Sequence, residues 1–371
     1  MAEAELDSLA ALVGASLKET LRDLKLVRGG GNNRIYRGET SAGPVAVKAY
    51  HPVPDGNHLQ RLQRETSSLG WLRSRGIKQV PGVRSVDAEH AFAVYEWIEG
   101  IKLPPAVPEA DRETAIGAVN GFLDALHAAK PAPGEARWPA QEACLSTEEL
   151  LRQITMRVER LQALADRTLE PFLARELAPV LARARERAIT AQDGSALPWN
   201  RALAESHQDF SPSDFGYHNA LQQPQGGLTF VDFEYAGWDD AVKLTSDFLW
   251  HPGMQLSAPE RSAYLRAALA RYADVPGFSG RLAAQHPLYG LRWSLILLNE
   301  FLPERWQKRV FAAGGRLAES DWQEAKMRQL DRAAAYLRAA SRMVDTPARL
   351  DPGGRDPESW MPAWEAGPLN G

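Results

Sequence analysis

The chain carries a single cysteine, Cys144, in 371 residues. One thiol cannot close an intrachain disulfide, so the fold must rest on burial and hydrogen bonding. That usage fits a reducing cytoplasm, which is the expected compartment. No run of about 18 apolar residues occurs, so no membrane-spanning helix is expected. The first residues, MAEAELDSLAALVGASL, lack the basic start of a secretory leader, and none is expected. An excess of positive charge is missing too. Against 47 Asp and Glu stand 43 Lys and Arg, a net charge of −4, which gives no reason to expect nucleic acid or an anionic membrane as a partner. There is no internal repeat and no low-complexity block.

The remainder is ordinary globular composition, with 44% hydrophobic and 24% charged residues. At roughly 150 residues per domain, the length suggests two domains or one large bilobal one. Eleven Trp and eleven Phe supply a sizeable core.

Read in order, apolar residues at Leu6, Leu9, Leu12, Val13 and Leu17 predict an N-terminal helix. Residues 24–31, 32–39 and 45–50 read as strands, the last two joined at Gly43-Pro44. Residues 57–75 are helical, with Leu59, Leu62, Leu69 and Leu72 on one side and Gly76 as a stop. Two more strands follow near 82–86 and 91–97. Five strands with one helix after the third make a small α+β lobe, 1–98. Beyond a linker, Leu and Ala at helical spacing predict helices over 109–129, 146–166 and 169–193. A short hairpin comes next, then helices near 239–250, 258–273, 284–302 and 319–344. These form a mainly helical part, 99–345. The segment 346–371, with five prolines and several glycines, reads as an irregular or disordered tail.

The chemistry gathers between His207 and Glu234. Asp214 precedes Asn219 by five residues, Asn219 leads into a strand, and Asp232 lies on the return arm of the hairpin. Phosphoryl transfer to a hydroxyl needs one carboxylate near the acceptor, plus an amide and a carboxylate that share Mg²⁺. The first lobe can supply the nucleotide side. Gly29, Gly30 and Gly31, followed by Asn32, would let backbone approach a phosphate. A ligand-free tight turn explains glycines equally well, and no helix follows them, so they are not a dinucleotide fingerprint. Lys48 lies in the strand VAVKAY and Glu65 on the next helix. Singly they read as an edge lysine and a solvated carboxylate; together they are the pair that fixes a lysine against phosphates. The strand entering the linker could offer backbone groups to an adenine edge at Glu96 to Ile98. His127 reads as a packed or exposed helix-end histidine.

On these residues the chain resembles the aminoglycoside phosphotransferase and choline kinase-like family, over roughly residues 20–345. The family loop reads His-Gly-Asp-x4-Asn, and its metal segment is matched by Asp232-Phe233-Glu234-Tyr235-Ala236-Gly237. The resemblance implies a bilobal protein kinase-like fold with a small five-stranded antiparallel lobe. It implies ATP and Mg²⁺ as cofactors and a small-molecule hydroxyl as acceptor. Asp214 would be the catalytic aspartate, Asn219 and Asp232 the metal ligands, Lys48 the phosphate lysine and Glu65 its partner.

Two departures stand out. Pro212-Ser213 occupies the place of His-Gly before Asp214. A second register, His207-Gln208-Asp209 through Asp214, keeps the His and makes Asp209 catalytic with Asp214 in place of Asn. The Asp214 register is preferred because it keeps the metal amide and runs straight into the hairpin. The later family segment Gly-Asp-Pro-x-x-Asp is replaced by Trp238-Asp239-Asp240-Ala241-Val242-Lys243-Leu244. For the acceptor, the candidates are Glu234, Trp238, Asp239, Asp240, His251, Trp293, Asn299, Glu300 and Trp306, since acids suit a cation and aromatics a sugar or quaternary ammonium. For each, core packing or solvation is the plainer reading. A silent kinase-fold module that binds nucleotide or partners is the alternative to an enzyme. A protein kinase is disfavoured because neither Asp-Phe-Gly nor Ala-Pro-Glu occurs where it should.

Overall fold

The computed structural model describes residues 3–27, 33–51, 56–312 and 318–345. Gly29, Gly30, Gly31 and Asn32, and the tail expected over 346–371, lie outside the described residues.

The chain begins with α1 (Glu3–Leu17), then β1 (Arg22–Val27), β2 (Asn33–Thr40), β3 (Gly43–Tyr50), α2 (Asn57–Ser74), β4 (Val83–Asp87), β5 (Phe92–Glu96) and β6 (Ile101–Lys102). It continues with α3 (Glu109–Ala128), α4 (Thr147–Gln162), α5 (Leu169–Pro171), a π-helical stretch Phe172–Leu177, and α6 (Ala178–Gln192). Three short strands follow, β7 (Asp209–Ser211), β8 (Ala220–Gln222) and β9 (Leu228–Phe230), and then β10 (Gly237–Asp239). The last elements are α7 (Ala241–Trp250), α8 (Ala258–Arg271), α9 (Phe278–Leu297), α10 (Pro303–Ala312) and α11 (Glu319–Asp345).

Two compact units result. One comprises Met1–Pro104, Gly121–Gln141 and Pro212–Gly237; the other comprises Pro105–Asn120, Glu142–Ser211 and the described part of Trp238–Gly371. The hairpin with Asp214 and Asp232 groups with the sheet.

In the first unit the sheet order is β1-β2-β3-β5-β4, all antiparallel. Alternation sorts β3 by face. Val45 and Val47 join Tyr36, Phe92, Val94 and Val13 of α1 in one buried cluster, which Leu6, Leu9 and Leu12 flank. One residue out of phase, Lys48 and Tyr50 are buried on the other face, where Glu65 of α2 meets them. The buried stripe of α2 runs Leu62, Glu65, Leu69 and Leu72, at i, i+3, i+7 and i+10. Glu65 is thus carried inward by the stripe. Leu59, expected on that stripe, is instead exposed.

The second unit is helical around α9, against which α4, α6, α7 and α11 pack. α9 starts at Phe278, six residues before the expected start, capped by Gly277, whose left-handed φ of 60° ends the preceding turn. Pro287 lies inside α9, and α10 was not foreseen. Among the described residues no helix is long and apolar enough to cross a membrane.

Candidate active site

The site is built within the first unit. Lys48 Nζ lies 2.7 Å from Glu65 Oε2, 2.7 Å from Asp232 Oδ1 and 3.3 Å from Glu234 Oε2. Glu65 and Glu234 are buried, whereas Asp232 keeps 40% of its side chain exposed. Burial works against the Lys48 ammonium, but the charges of Asp232, Glu65 and Glu234 outweigh it and hold the amine well above its usual range. For Glu65 burial wins over Lys48, with Asp232 and Glu234 adding repulsion, so its carboxyl sits above the usual carboxylate range. Glu234 is also buried, yet Lys48, Arg61 and Asn33 together hold it below that range.

Tyr50 explains how Glu65 is held. Its hydroxyl donates to Glu65 Oε2 and lies 2.9 Å from the Tyr95 hydroxyl. Burial, and then the Glu65 charge, push the Tyr50 phenol well above its usual range, so it stays a donor. The other Glu65 oxygen accepts from the Phe233 N–H at 3.3 Å. One α2 carboxylate thus ties the strand lysine to the segment after Asp232.

The loop residues are positioned by aromatics. Phe215 follows Asp214 and Phe233 follows Asp232, and both rings close on Phe122 of α3, at 5.7 Å and 6.5 Å between centroids. Phe230 of β9 stacks on Phe122 at 4.4 Å. Such contacts fix where each neighbouring carboxylate leaves the backbone. Sequence alone gave no reason to single out Phe122, 92 residues from Asp214. Backbone bonds complete the frame: β8 and β9 pair, and Val231 N–H donates to Asn219 C=O at 2.9 Å.

Two non-glycine residues here take left-handed backbone, Ser213 with φ 70° and Asp232 with φ 70°. That conformation is costly for L-residues and persists where surroundings impose it. Ser213 stands where the family pattern has Gly, so the backbone that favours glycine is present immediately before Asp214. In the other register Gln208 would hold the Gly place, but its φ of −77° and ψ of 147° are ordinary extended backbone. Asp209 is buried within β7 and belongs to the second unit.

Asn219 Nδ2 donates to the Asp214 backbone carbonyl at 2.9 Å. A carbonyl can only accept, so this bond fixes the amide and turns Oδ1 away as an acceptor. Asp232 offers a second oxygen beyond the one on Lys48. An amide and a carboxylate oxygen form a hard donor set that suits Mg²⁺. His218 Nε2 lies 2.9 Å from Asp214 Oδ1, a contact the sequence reading did not anticipate.

At the linker, Glu96 N–H bonds Gly82 C=O at 2.8 Å, and its carboxylate is taken by Arg73 and the Gly82 N–H. Its backbone donor is therefore spent inside the unit. Among the described residues Ile98 makes no backbone bond, which leaves it the better candidate for an adenine edge.

Most expected acceptor residues serve the second unit's interior. Asp239 is buried and accepts from the backbone N–H groups of Cys144 and Asp240, with Lys243 at 3.2 Å. Asp240 caps α7 through Val242 N–H and pairs with buried Arg281. Trp238 packs edge-on against Phe210. Trp293 donates to Asp247 and meets His251 edge-on; Trp306 stacks on Trp322. Glu300 is buried and paired with Arg309. Asn299 alone of these remains half-exposed with no described side-chain bond. Solvation, the plainer reading of the acids, fails because sequence does not show which partner sits opposite.

The phosphotransferase enzyme family model matches residues 23–280. No curated protein matches the sequence. Among solved structures, ADP-bound aminoglycoside phosphotransferase APH(2'')-Ib is similar with a TM-score of 0.56 and 13% identity, covering 92% of this chain and 99% of its own. Choline kinase LicA from Streptococcus pneumoniae gives 0.52 and 17%, over 90% and 99%. A choline/ethanolamine kinase family protein from Mesorhizobium loti gives 0.55 and 17%, over 95% and 97%. At such identities the likeness establishes the kinase-like fold, and the family match establishes the rest: this chain belongs to the phosphotransferase enzyme family.

Proposed function

We propose that this phosphotransferase moves the γ-phosphoryl group of ATP, with Mg²⁺, to a hydroxyl of a small molecule. The observation that carries the reading is the Lys48 ammonium held at 2.7 Å from both Glu65 and Asp232. A buried lysine needs partners, and one half-exposed partner leaves it a side from which phosphate oxygens can be met. On nucleotide binding Lys48 would keep Glu65 and exchange contact with Asp232 for the phosphates.

Asn219 and Asp232 would hold the ion, which supplies charge neutralisation along the phosphates when bound. Asp214 would orient the acceptor hydroxyl and take its proton. Its carboxylate is partly exposed and steadied by His218, and its backbone carbonyl is locked to Asn219. Catalysis is then positioning and electrostatics, with little covalent work for the protein. Gly29, Gly30, Gly31 and Asn32 would lie along the phosphates, and Ile98 at the base.

The acceptor is a small-molecule alcohol. Similar structures bear the names of aminoglycoside and choline kinases, which makes amino sugars and amino alcohols the first compounds to try. The test is calorimetry with ATP, with and without Mg²⁺, followed by a hydroxyl-compound panel read by ADP release. Mg²⁺-dependent binding and one or more turned-over alcohols are expected. Well-folded protein that binds no nucleotide would overturn the proposal, and tight binding with no turnover across the panel would favour a silent module.

A further inference from the structure

The reaction above uses Asp214, Asn219, Asp232, Lys48 and Glu65, and leaves the third residue of the metal segment, Glu234, without a task. Both of its oxygens are engaged. Oε2 accepts from Asn33 Nδ2 at 2.7 Å, and Oε1 from Arg61 Nη1 at 3.2 Å. The same Nη1 lies 3.3 Å from Asn33 Oδ1, which closes a three-membered ring of side chains. Glu234 is 2% exposed and Arg61 8%. A carboxylate so buried and so fully bonded offers nothing to an acceptor, which removes Glu234 from the acceptor candidates.

The ring joins three separate pieces of chain. Asn33 is the first residue of β2, directly after the glycine-rich segment, and faces Tyr50 across the sheet. Arg61 is on α2, one turn before Glu65. Glu234 is two residues past Asp232, and Phe233 between them donates its N–H to Glu65. A displacement of Asn33 is therefore passed to Asp232 and to the Lys48–Glu65 pair through two buried charged groups. Buried bonds to ions are short and directional, and suited to setting distances.

We propose that Asn33, Arg61 and Glu234 form a latch that sets the start of β2 against Asp232, making Asn33 and Arg61 positioning residues for the nucleotide. The proposal rests on the nucleotide-dependent reading given above. It predicts a selective effect: breaking the latch weakens the hold on the triphosphate and leaves recognition of the alcohol alone.

The test is a double-mutant cycle on Asn33→Ala and Glu234→Ala, with Glu234→Gln as the conservative variant. Mg²⁺-ATP Kd is read by calorimetry, and KM for nucleotide and for acceptor by steady-state kinetics. Each single alanine variant is expected to weaken nucleotide binding about tenfold, and the double variant to be no worse than the poorer single, because one latch is broken once. Glu234→Gln recovers part of the loss, and acceptor KM stays within about twofold of wild type. If Glu234→Ala does not fold, Asn33→Ala and Glu234→Gln, which keep the buried volume at 234, decide the matter through the same Kd. Additive losses, or single variants whose nucleotide Kd equals that of wild type, overturn the latch. A raised acceptor KM with unchanged nucleotide Kd returns Glu234 to the acceptor. Wild-type protein that fails to bind Mg²⁺-ATP refutes the phosphotransfer reading itself, separately from the latch.

Discussion

Replacing Lys48 with methionine leaves Glu65, Asp232 and Glu234 without the ammonium they share. The three do not suffer equally. Asp232 is 40% exposed, so water screens it and its share of the loss is small. Glu234 keeps Arg61 and Asn33. The loss falls on Glu65, which is buried and retains only neutral donors, Tyr50 and the Phe233 N–H. Removing one member of a buried pair costs about 3–5 kcal/mol when the other stays charged. Glu65 can avoid that by taking a proton. Its carboxyl already lies above the usual range through burial, and without Lys48 it rises further. A group whose pKa is higher folded than unfolded stabilises the fold below its unfolded pKa, and loses that contribution as pH climbs through the folded value. The variant is therefore expected to stand close to wild type near about pH 5 and to fall behind as pH rises, by up to about 1.4 kcal/mol per pH unit, until the full deficit is reached. Wild type shows only the smaller decline of its own, less raised Glu65, because its raised Lys48 contributes fully until pH passes the ordinary lysine value of 10.5. Urea denaturation at about pH 5, about pH 6.5 and about pH 8 reads the difference. A deficit equal at all three pH values, or below about 1 kcal/mol at the highest, would refute the account of Glu65. The same variant should lose about 10²–10³ in kcat/KM.

Tyr50→Phe removes one neutral donor from Glu65 and should lower stability by about 1–2 kcal/mol in urea denaturation while the fold persists; an unchanged midpoint would show that Tyr50 does not support Glu65. Phe122→Ala takes away the ring on which Phe215, Phe230 and Phe233 meet. It should cost about 3–5 kcal/mol and reduce kcat in the folded fraction, since Asp214 and Asp232 both lose their support; a full kcat would contradict the aromatic positioning. Asp240→Asn keeps the α7 cap but leaves buried Arg281 without its charge partner, so thermal stability should drop by about 3 kcal/mol with acceptor KM unchanged. A raised acceptor KM at unaltered stability would restore Asp240 as a substrate contact.

The fold was legible where local pattern decides it. The strand VAVKAY and the helix after it were readable, and with them the pairing of Lys48 with Glu65. The turn at Gly43-Pro44 fixed the hairpin, and the order of Asp214, Asn219 and Asp232 followed the chain. What escaped depends on partners far away in sequence. Asn33 reaches Glu234 across 201 residues, and Arg61 reaches it across 173. Phe122 looked like any core residue. Asp239 and Asp240 looked like solvated acids because Lys243 and Arg281, which neutralise them, announce themselves only once α7 and α9 are packed. The helix start at Phe278 lies six residues before the expected 284, because the Gly277 cap is set by its left-handed backbone, which apolar spacing does not show. The two overlapping registers could not be separated by spacing; their backbone geometry differs, since of Ser213 and Gln208 only Ser213 adopts the left-handed turn.

The central claim is that Asp214 sits at the acceptor edge of a nucleotide-holding site built by Lys48, Glu65, Asn219 and Asp232. The direct measurement is turnover and Mg²⁺-ATP affinity of Asp214→Ala beside Asp209→Ala. The account predicts that Asp214→Ala binds Mg²⁺-ATP as wild type does but loses about 10³-fold or more in kcat, while folded Asp209→Ala keeps its turnover. An Asp214→Ala enzyme that retains most of its activity, beside an inactive but folded Asp209→Ala, would contradict it.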